Sequence, residues 1–184
     1  MEWIPSNNKF CGSGFLVAYG GTTQMRISFD LDDTLICYQP GVPCEPELPW
    51  HWSLLGGNEP LRRGTVELMG RLRHYGWEIW IYTTSHRNPA SVRWWLWCHG
   101  IRVARVINQY VHDATLRRTP NDYPPSKNPG AFAIDLHVDD SEGIRMEGEQ
   151  HGFKVVVVAP DDESWTESVL SAAAEVQNQT SPSS

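Results

Sequence analysis

The stretch Ile27-Ser28-Phe29-Asp30-Leu31-Asp32-Asp33-Thr34-Leu35 constrains this chain more than any other. An apolar run drives into acidic side chains and then resumes. Unpaired charge at a buried strand end is costly, so acids in that place need partners or a task. In an open α/β sheet, ligands bind at the carboxyl ends of the strands. Asp30 and Asp32 lie two apart and share a face in a regular strand. If the chain turns after Asp30, one acid can present a side chain and the other a backbone carbonyl to a single cation. That oxygen set suits Mg²⁺, which takes few protein ligands and keeps room for water and phosphate.

The chain has 184 residues, enough for one domain with a proper core. Acidic residues outnumber basic ones by 22 to 15, a net charge of −7. This balance disfavours binding a long nucleic acid through bulk charge, while a local basic patch would still allow nucleic acid. Cys11, Cys37, Cys44 and Cys98 form no CxxC pair, which predicts free thiols in a reducing cytosol. The sequence shows neither a charged leader followed by an apolar core nor an apolar run of membrane-spanning length. A cytoplasmic protein without membrane association is therefore expected.

Residues 1–24 hold loop material around one short apolar piece, Phe15–Tyr19, and read as an extension to a domain over 25–177 or as an ordinary first strand or hairpin. Residues 36–58 are punctuated by Pro and Gly and read as a loop or flap. Pro60 fits a first helical position, with Leu61, Thr65, Leu68 and Leu72 as a stripe and Gly76 as the stop. Trp77–Tyr82 is an apolar strand ending at Thr83-Thr84-Ser85. Asn88-Pro89 opens a helix that Gly100 closes, and residues 101–107 suggest a third strand. A polar loop is expected over about 109–126, a fourth strand over Ile134–Val138, and a fifth in Val155–Val158, whose unbroken apolar run suggests burial on both faces. Trp165, Val169 and Val176 mark a last helix, and 178–184 reads as a frayed tail. Alternating strands and helices with crossover-length connections predict an α/β, Rossmann-like three-layer sandwich: a central parallel sheet, a small flap after the first strand, and no large cap domain.

Four chemistry-bearing pieces close apolar strands or precede them, in the order Asp30/Asp32, Thr83, Lys127, Asp139/Asp140. Phe29-Asp30-Leu31-Asp32-Asp33-Thr34-Leu35 resembles the DxDx(T/V) signature of the haloacid dehalogenase superfamily. Ile81–Ser85, Ser126-Lys127-Asn128-Pro129 and Val138-Asp139-Asp140-Ser141 resemble its other three motifs. The resemblance covers residues 25 to about 160. It implies a Mg²⁺-dependent phosphatase of capless or minimally capped type. Asp30 would be the nucleophile and Asp32 the acid and base. Thr83, with Thr84 and Lys127, would hold the phosphoryl group, and Asp30, Asp32, Asp139 and Asp140 would form the metal site. The alternatives are a non-catalytic phosphate- or nucleotide-binding protein of the same fold, or a phosphatase for nucleic-acid ends or phosphoproteins. The substrate is a phosphorylated molecule whose identity the sequence does not give.

Around this set, Trp50 and Trp52 read either as a substrate wall or as anchors of the flap. His86 and Arg87 read as contacts to an anionic substrate or as surface groups, and His112, His137 and His151 as core or surface residues. On the helix after Thr83, Val92, Trp95, Leu96 and His99 share one side, with Trp94 and Trp97 opposite. That second face is expected to be covered by residues 1–24 or by a second copy in a homodimer, unless neighbouring loops bury one indole and leave the other in water.

Overall fold

Strand β1 (Arg26–Phe29) lies at the centre of a five-stranded sheet with β2 (Glu78–Tyr82), β3 (Arg105–Ile107), β4 (Leu136–Asp139) and β5 (Val155–Val157). The computed structural model describes residues 24–53, 59–117 and 125–180. Every pairing is parallel, in the order β3-β2-β1-β4-β5. The chain winds outward from β1 to β3, returns across to β4 and ends at β5. The order therefore reverses between β1 and β4, where a parallel sheet opens a crevice at its carboxyl edge.

Register places the chemistry at that edge. Phe29 pairs with Ile81 on one side and Val138 on the other, so Asp30 and Thr83 follow the last rungs of their strands and Asp139, paired with Val157, is the last rung of β4. The apolar positions of β1, β2 and β4 alternate between faces, as the pleat requires. Ile27, Phe29, Ile79, Ile81, Leu136 and Val138 belong to the large core with Leu68, Leu72, Trp95 and Val169. Trp80 and Tyr82 belong to a smaller cluster with Ile107, Phe132 and Ile134.

Six α-helices are described: α1 (Trp50–Ser53), α2 (Thr65–His74), α3 (Pro89–Cys98), α4 (Gln109–Leu116), α5 (Glu142–His151) and α6 (Trp165–Thr180). Helix α3 follows its sequence signals: the Asn88 side chain accepts from Ala90 N–H, Pro89 starts the helix, and Gly100 lies beyond its end at φ 77°. Val92, Trp95 and Leu96 are buried as expected. The opposite face meets the flap, because the Trp52 ring lies 5.8 Å from both Trp94 and Trp97. Trp52 is thus a cover among the described residues and an anchor for the flap; Trp97 stays 47% exposed and Trp50 75%. Of residues 1–24, expected as a cover, 1–23 lie outside the described residues.

Several expectations need correction. Pro60 does not begin a helix. Leu61 and Arg62 instead form bridges to Ile36 and Cys44, with Arg62 N–H donating to Leu35 and Glu45 N–H to Leu61. These extended pairings satisfy the backbone until Gly64, at φ 87°, turns the chain into α2. The polar stretch after Asn108 opens with helix α4, capped by the Asn108 side chain on Val111 N–H. Its one buried side chain is His112, so it carries no apolar stripe to read. Helix α5 buries Ile144 and Gly148 and is silent for the same reason. The third strand is only Arg105–Ile107, the fourth is shifted to end on Asp139, and β5 is half-buried because it is an edge strand. Helix α6 continues through residues 178–180 of the expected tail.

Gly148 has a close-packing role. A Cβ there would sit 2.7 Å from the Phe153 carbonyl oxygen and 3.1 Å from Val155 Cγ2. Gly148→Ala is expected to cost about 1–3 kcal/mol, the usual range for overpacking. Denaturant unfolding checks this; an unchanged midpoint would show that α5 shifts freely. Cys37, Cys44 and Cys98 are free thiols. No helix among the described residues is long and apolar enough to cross a membrane.

Candidate active site

Past Phe29 the backbone leaves the sheet in a tight turn. Asp30 N–H still donates to the Val138 carbonyl at 2.9 Å, and Leu35 and Ile36 N–H both return to the Leu31 carbonyl. Asp33 makes this possible with φ 56°, a left-handed conformation that Asp tolerates better than most residues. The turn leaves Asp30 8% exposed at the sheet edge.

Lys127 is brought beside it from the loop before β4. Its Nζ lies 2.9 Å from Asp30 Oδ1 and 2.5 Å from Asp139 Oδ2, and the residue is 3% exposed. The loop is held from two sides. Ser126 donates to Glu147 of α5, through N–H at 3.0 Å and Oγ–H at 2.8 Å, while Asn128 N–H donates to Tyr82 Oη at 2.8 Å. Tyr82 Oη in turn lies 2.5 Å from His112 Nδ1. Having accepted from Asn128, the phenol donates to that nitrogen. Tyr82 thereby ties the residue before Thr83 to helix α4 and to the lysine loop.

Asp139 is the most heavily supported acid. Its Oδ2 accepts from Lys127 and from His137 Nε2 at 3.0 Å, and its Oδ1 from Ser141 N–H at 2.9 Å. His137 Nδ1 is 2.8 Å from Ser28 Oγ, so a neutral imidazole donates to the carboxylate and accepts from the serine. Burial lowers the His137 pKa, in keeping with that neutral form. Burial pushes the Asp139 carboxyl up, but the His137 hydrogen bond and the Lys127 ammonium override it and hold the group well below the usual carboxylate range. Asp30 goes the other way. Burial raises it, Lys127 pulls it down, the charge on Asp139 raises it again, and the net shift is upward. Asp140 is also raised, by burial and by Asp139. Lys127 is lowered by burial but raised more by Asp30 and Asp139, so it stays charged.

One oxygen in this cluster has room for a further partner. Asp30 Oδ1 is buried, and the donor close to it among the described residues is the Lys127 ammonium at 2.9 Å. One carboxylate oxygen each from Asp30, Asp139 and Asp140 lies within 4.8 Å of the others. Three hard oxygens that close, on two buried acids and one half-buried one, fit a divalent cation such as Mg²⁺.

The remaining expected residues divide. Thr83 is buried; its N–H donates to the Ile107 carbonyl and its Oγ1 accepts from Ser85 N–H at 3.1 Å. Thr84 is exposed. The Asp32 carboxylate is engaged elsewhere: Arg87 Nη1 lies 2.7 and 2.8 Å from its two oxygens, and Tyr38 Oη is 2.9 Å from Oδ1. The sequence reading left Arg87 open and overlooked Tyr38, Tyr82, Ser28 and the site role of His137. Ser28 and His137 carried a signal, since polar residues inside apolar strands two places before Asp30 and Asp139 imply a buried polar pair.

No protein-family model and no curated protein matches the sequence. Among solved structures, an uncharacterized protein from Listeria monocytogenes serotype 4b aligns with TM-score 0.53 at 13% identity, over 84% of this chain and 99% of that one. A chain of a Pnkp1/Rnl/Hen1 complex aligns with TM-score 0.48 at 10% identity, over 74% of this chain. This chain spans 47% of that protein and 43% of the equivalent chain in the Pnkp1/Rnl/Hen1 RNA repair complex. A haloacid dehalogenase family enzyme from Bacteroides thetaiotaomicron, solved with magnesium and inorganic phosphate, aligns with TM-score 0.44 at 11% identity, over 77% and 98%. The chain has a Rossmann-like α/β architecture on a five-stranded parallel sheet.

Proposed function

We propose that this protein is a Mg²⁺-dependent phosphomonoesterase working through an aspartyl phosphate on Asp30. The observation that carries the reading is Asp30 Oδ1 itself. It is a buried carboxylate oxygen at the end of the central strand, 2.9 Å from the Lys127 ammonium and converging with oxygens of Asp139 and Asp140. An acid kept desolvated among other acids, with one ammonium shared between them, is poor structural material and a good nucleophile.

Asp30, Asp139 and Asp140 through carboxylates, and Asp32 through its backbone carbonyl, would hold the cation. When bound, it supplies the positive charge that lets a phosphate dianion join these acids. The rest falls to the chain's own groups. An Asp30 oxygen bonds to phosphorus while the ester P–O bond breaks, and Asp32 gives its proton to the departing oxygen. Water then attacks the aspartyl phosphate, Asp32 takes a proton from it, the Asp30–phosphorus bond breaks, and inorganic phosphate leaves. Lys127, the Thr83 hydroxyl and Thr84 stabilise the equatorial oxygens, with Thr83 donating the proton that its acceptor role toward Ser85 leaves available. The Tyr82 and His137 networks act by fixing Lys127 and Asp139 in place.

The first test is release of p-nitrophenol from p-nitrophenyl phosphate by purified protein with Mg²⁺ and with EDTA. Turnover is expected only with the divalent ion. Undiminished turnover in EDTA would sink the metal reading. Phosphate binding without turnover of any ester in a broad panel would favour the non-catalytic binding protein.

A further inference from the structure

We propose that Arg87 is a specificity residue: it recognises a second anionic group on the substrate and, in shifting to it, releases Asp32 for proton transfer. The inference rests on the phosphatase reading above and extends it to the class of ester that is cleaved.

In this structure Asp32 is not free to act. Arg87 Nη1 sits 2.7 and 2.8 Å from its two oxygens, and Tyr38 Oη adds a contact of 2.9 Å to Oδ1. An acid that serves a leaving group must turn one oxygen toward it, and here both are occupied. A shift of Arg87 would leave Oδ2 without its one donor among the described residues and free to meet an ester oxygen. Its backbone is pinned, since Asn108 Nδ2 donates to the Arg87 carbonyl at 3.1 Å. Its side chain is 29% exposed, so the guanidinium can change partners while the main chain stays still.

What would draw it away follows from its chemistry. A guanidinium pairs with carboxylate and phosphate through the same planar fork. It exchanges one anion for another at little net cost, whereas moving into water forfeits a charge-assisted hydrogen bond. Glu59 makes the exchange practicable. Its Oε1 lies 3.3 Å from Arg87 Nη2, and its Oε2 lies 3.2 Å from Tyr38 Oη. Arg87 thus keeps one carboxylate partner while Asp32 is replaced by the incoming anion.

There is space for the rest of such a substrate. A cavity of about 230 Å³ adjoins Arg87, lined in part by Leu31, Ile36, Glu59, Ser91 and Trp95. It is smaller than the roughly 300 Å³ at which drug-sized sites begin, which suits a compact leaving group with some apolar surface. The substrate class is a small phosphate monoester carrying a carboxylate or a second phosphate.

The test compares propyl phosphate with 3-phosphooxypropanoate and propane-1,3-diyl bisphosphate, which share a three-carbon body. Wild type is expected to prefer one of the anion-bearing esters by about tenfold or more in kcat/KM, the discrimination one charge-assisted hydrogen bond provides. Whichever is preferred tells carboxylate from phosphate. Arg87→Gln should bring the ratio to about one, chiefly through KM, and Arg87→Lys should restore part of it. A wild-type ratio below about threefold, or a ratio that survives in Arg87→Gln, overturns the proposal. Failure of the phosphatase reading would look different, as no release of phosphate from any ester, p-nitrophenyl phosphate included. Calorimetric binding of the same three compounds to Asp30→Asn protein, with and without Arg87→Gln, then decides. Discrimination lost with Arg87→Gln supports the anion role; equal binding of all three, or no binding, refutes it. Melting curves on each variant establish that it is folded.

Discussion

Asp30→Asn is expected to lower aryl phosphate turnover by about 10⁴-fold or more, the scale of losing a covalent nucleophile, while leaving the metal-free protein at least as stable as wild type. Function and stability part company here because of the burial. Asp30 is 8% exposed, and its carboxyl is raised by desolvation and by Asp139 despite the pull of Lys127. A carboxyl whose folded pKa lies above its unfolded value takes stability away once it ionises. Below the ordinary carboxylate range both states hold the proton, and wild type and mutant should coincide. As pH rises through the interval between the two values, the unfolded chain gives up its proton first and wild type loses ground. The amide does not ionise, so the mutant's advantage should grow across that interval and then level off. Denaturant titrations in EDTA at several pH values measure this beside the turnover assay. A mutant that keeps more than about a hundredth of the activity would move the nucleophile elsewhere. One that unfolds more readily at neutral pH than at acid pH, relative to wild type, would show that the Asp30 charge is well compensated.

The features legible in the sequence were those that repeat or punctuate. The apolar run into Asp30, the parallel strand ending at Thr83, and Asn88-Pro89 as cap and first turn all carry local signals, and the structure puts them where those signals point. Helices α4 and α5 carry none, because a helix that buries His112, or Ile144 and Gly148, shows no apolar period. Pro60 misled for a related reason: its fixed φ suits an extended segment as well as a helix start, and the flap supplies the extended partners. In the site, the order of acids, threonine and lysine could be read, and the geometry sets Asp30, Lys127 and Asp139 side by side. The Asp32–Arg87 pair spans 55 positions, and Tyr82 reaches His112 and Asn128 across 30 and 46 positions. Such contacts come from strand order, not from spacing along the chain. Trp52 on Trp94 and Trp97 is the same kind of case: the exposed face was evident in the helical period, and its cover came from the flap.

Lys127→Met is expected to destabilise the metal-free protein by about 3–5 kcal/mol at neutral pH, the cost of breaking a buried ion pair by removing one partner. Lys127 is 3% exposed and meets Asp30 at 2.9 Å and Asp139 at 2.5 Å. Methionine fills the stem's volume but leaves Asp30, Asp139 and Asp140, whose oxygens converge within 4.8 Å, without their ammonium. His137 cannot replace it, since burial favours its neutral form. The sign of the lysine term agrees with this. Its pKa is raised above the ordinary 10.5, burial being outweighed by the two acids, so its contribution is complete below that value and fades only as pH rises through the folded one. At neutral pH the whole of it is lost in the mutant. Acidification should narrow the gap, because protonating the carboxyls removes the repulsion that the lysine had offset. A divalent cation should narrow it too. It binds the folded cluster and not the dispersed acids of the unfolded chain, so it stabilises by mass action. The rise in Tm on adding Mg²⁺ should therefore be larger in Lys127→Met than in wild type. Turnover should remain about 10²- to 10³-fold down even with saturating metal, because in the proposed mechanism the ammonium also stabilises the phosphoryl oxygens in the transition state. Wild-type stability of the mutant in EDTA would show that the acids do not share one charge cluster. Equal Mg²⁺ shifts in the two proteins would place the cation outside it.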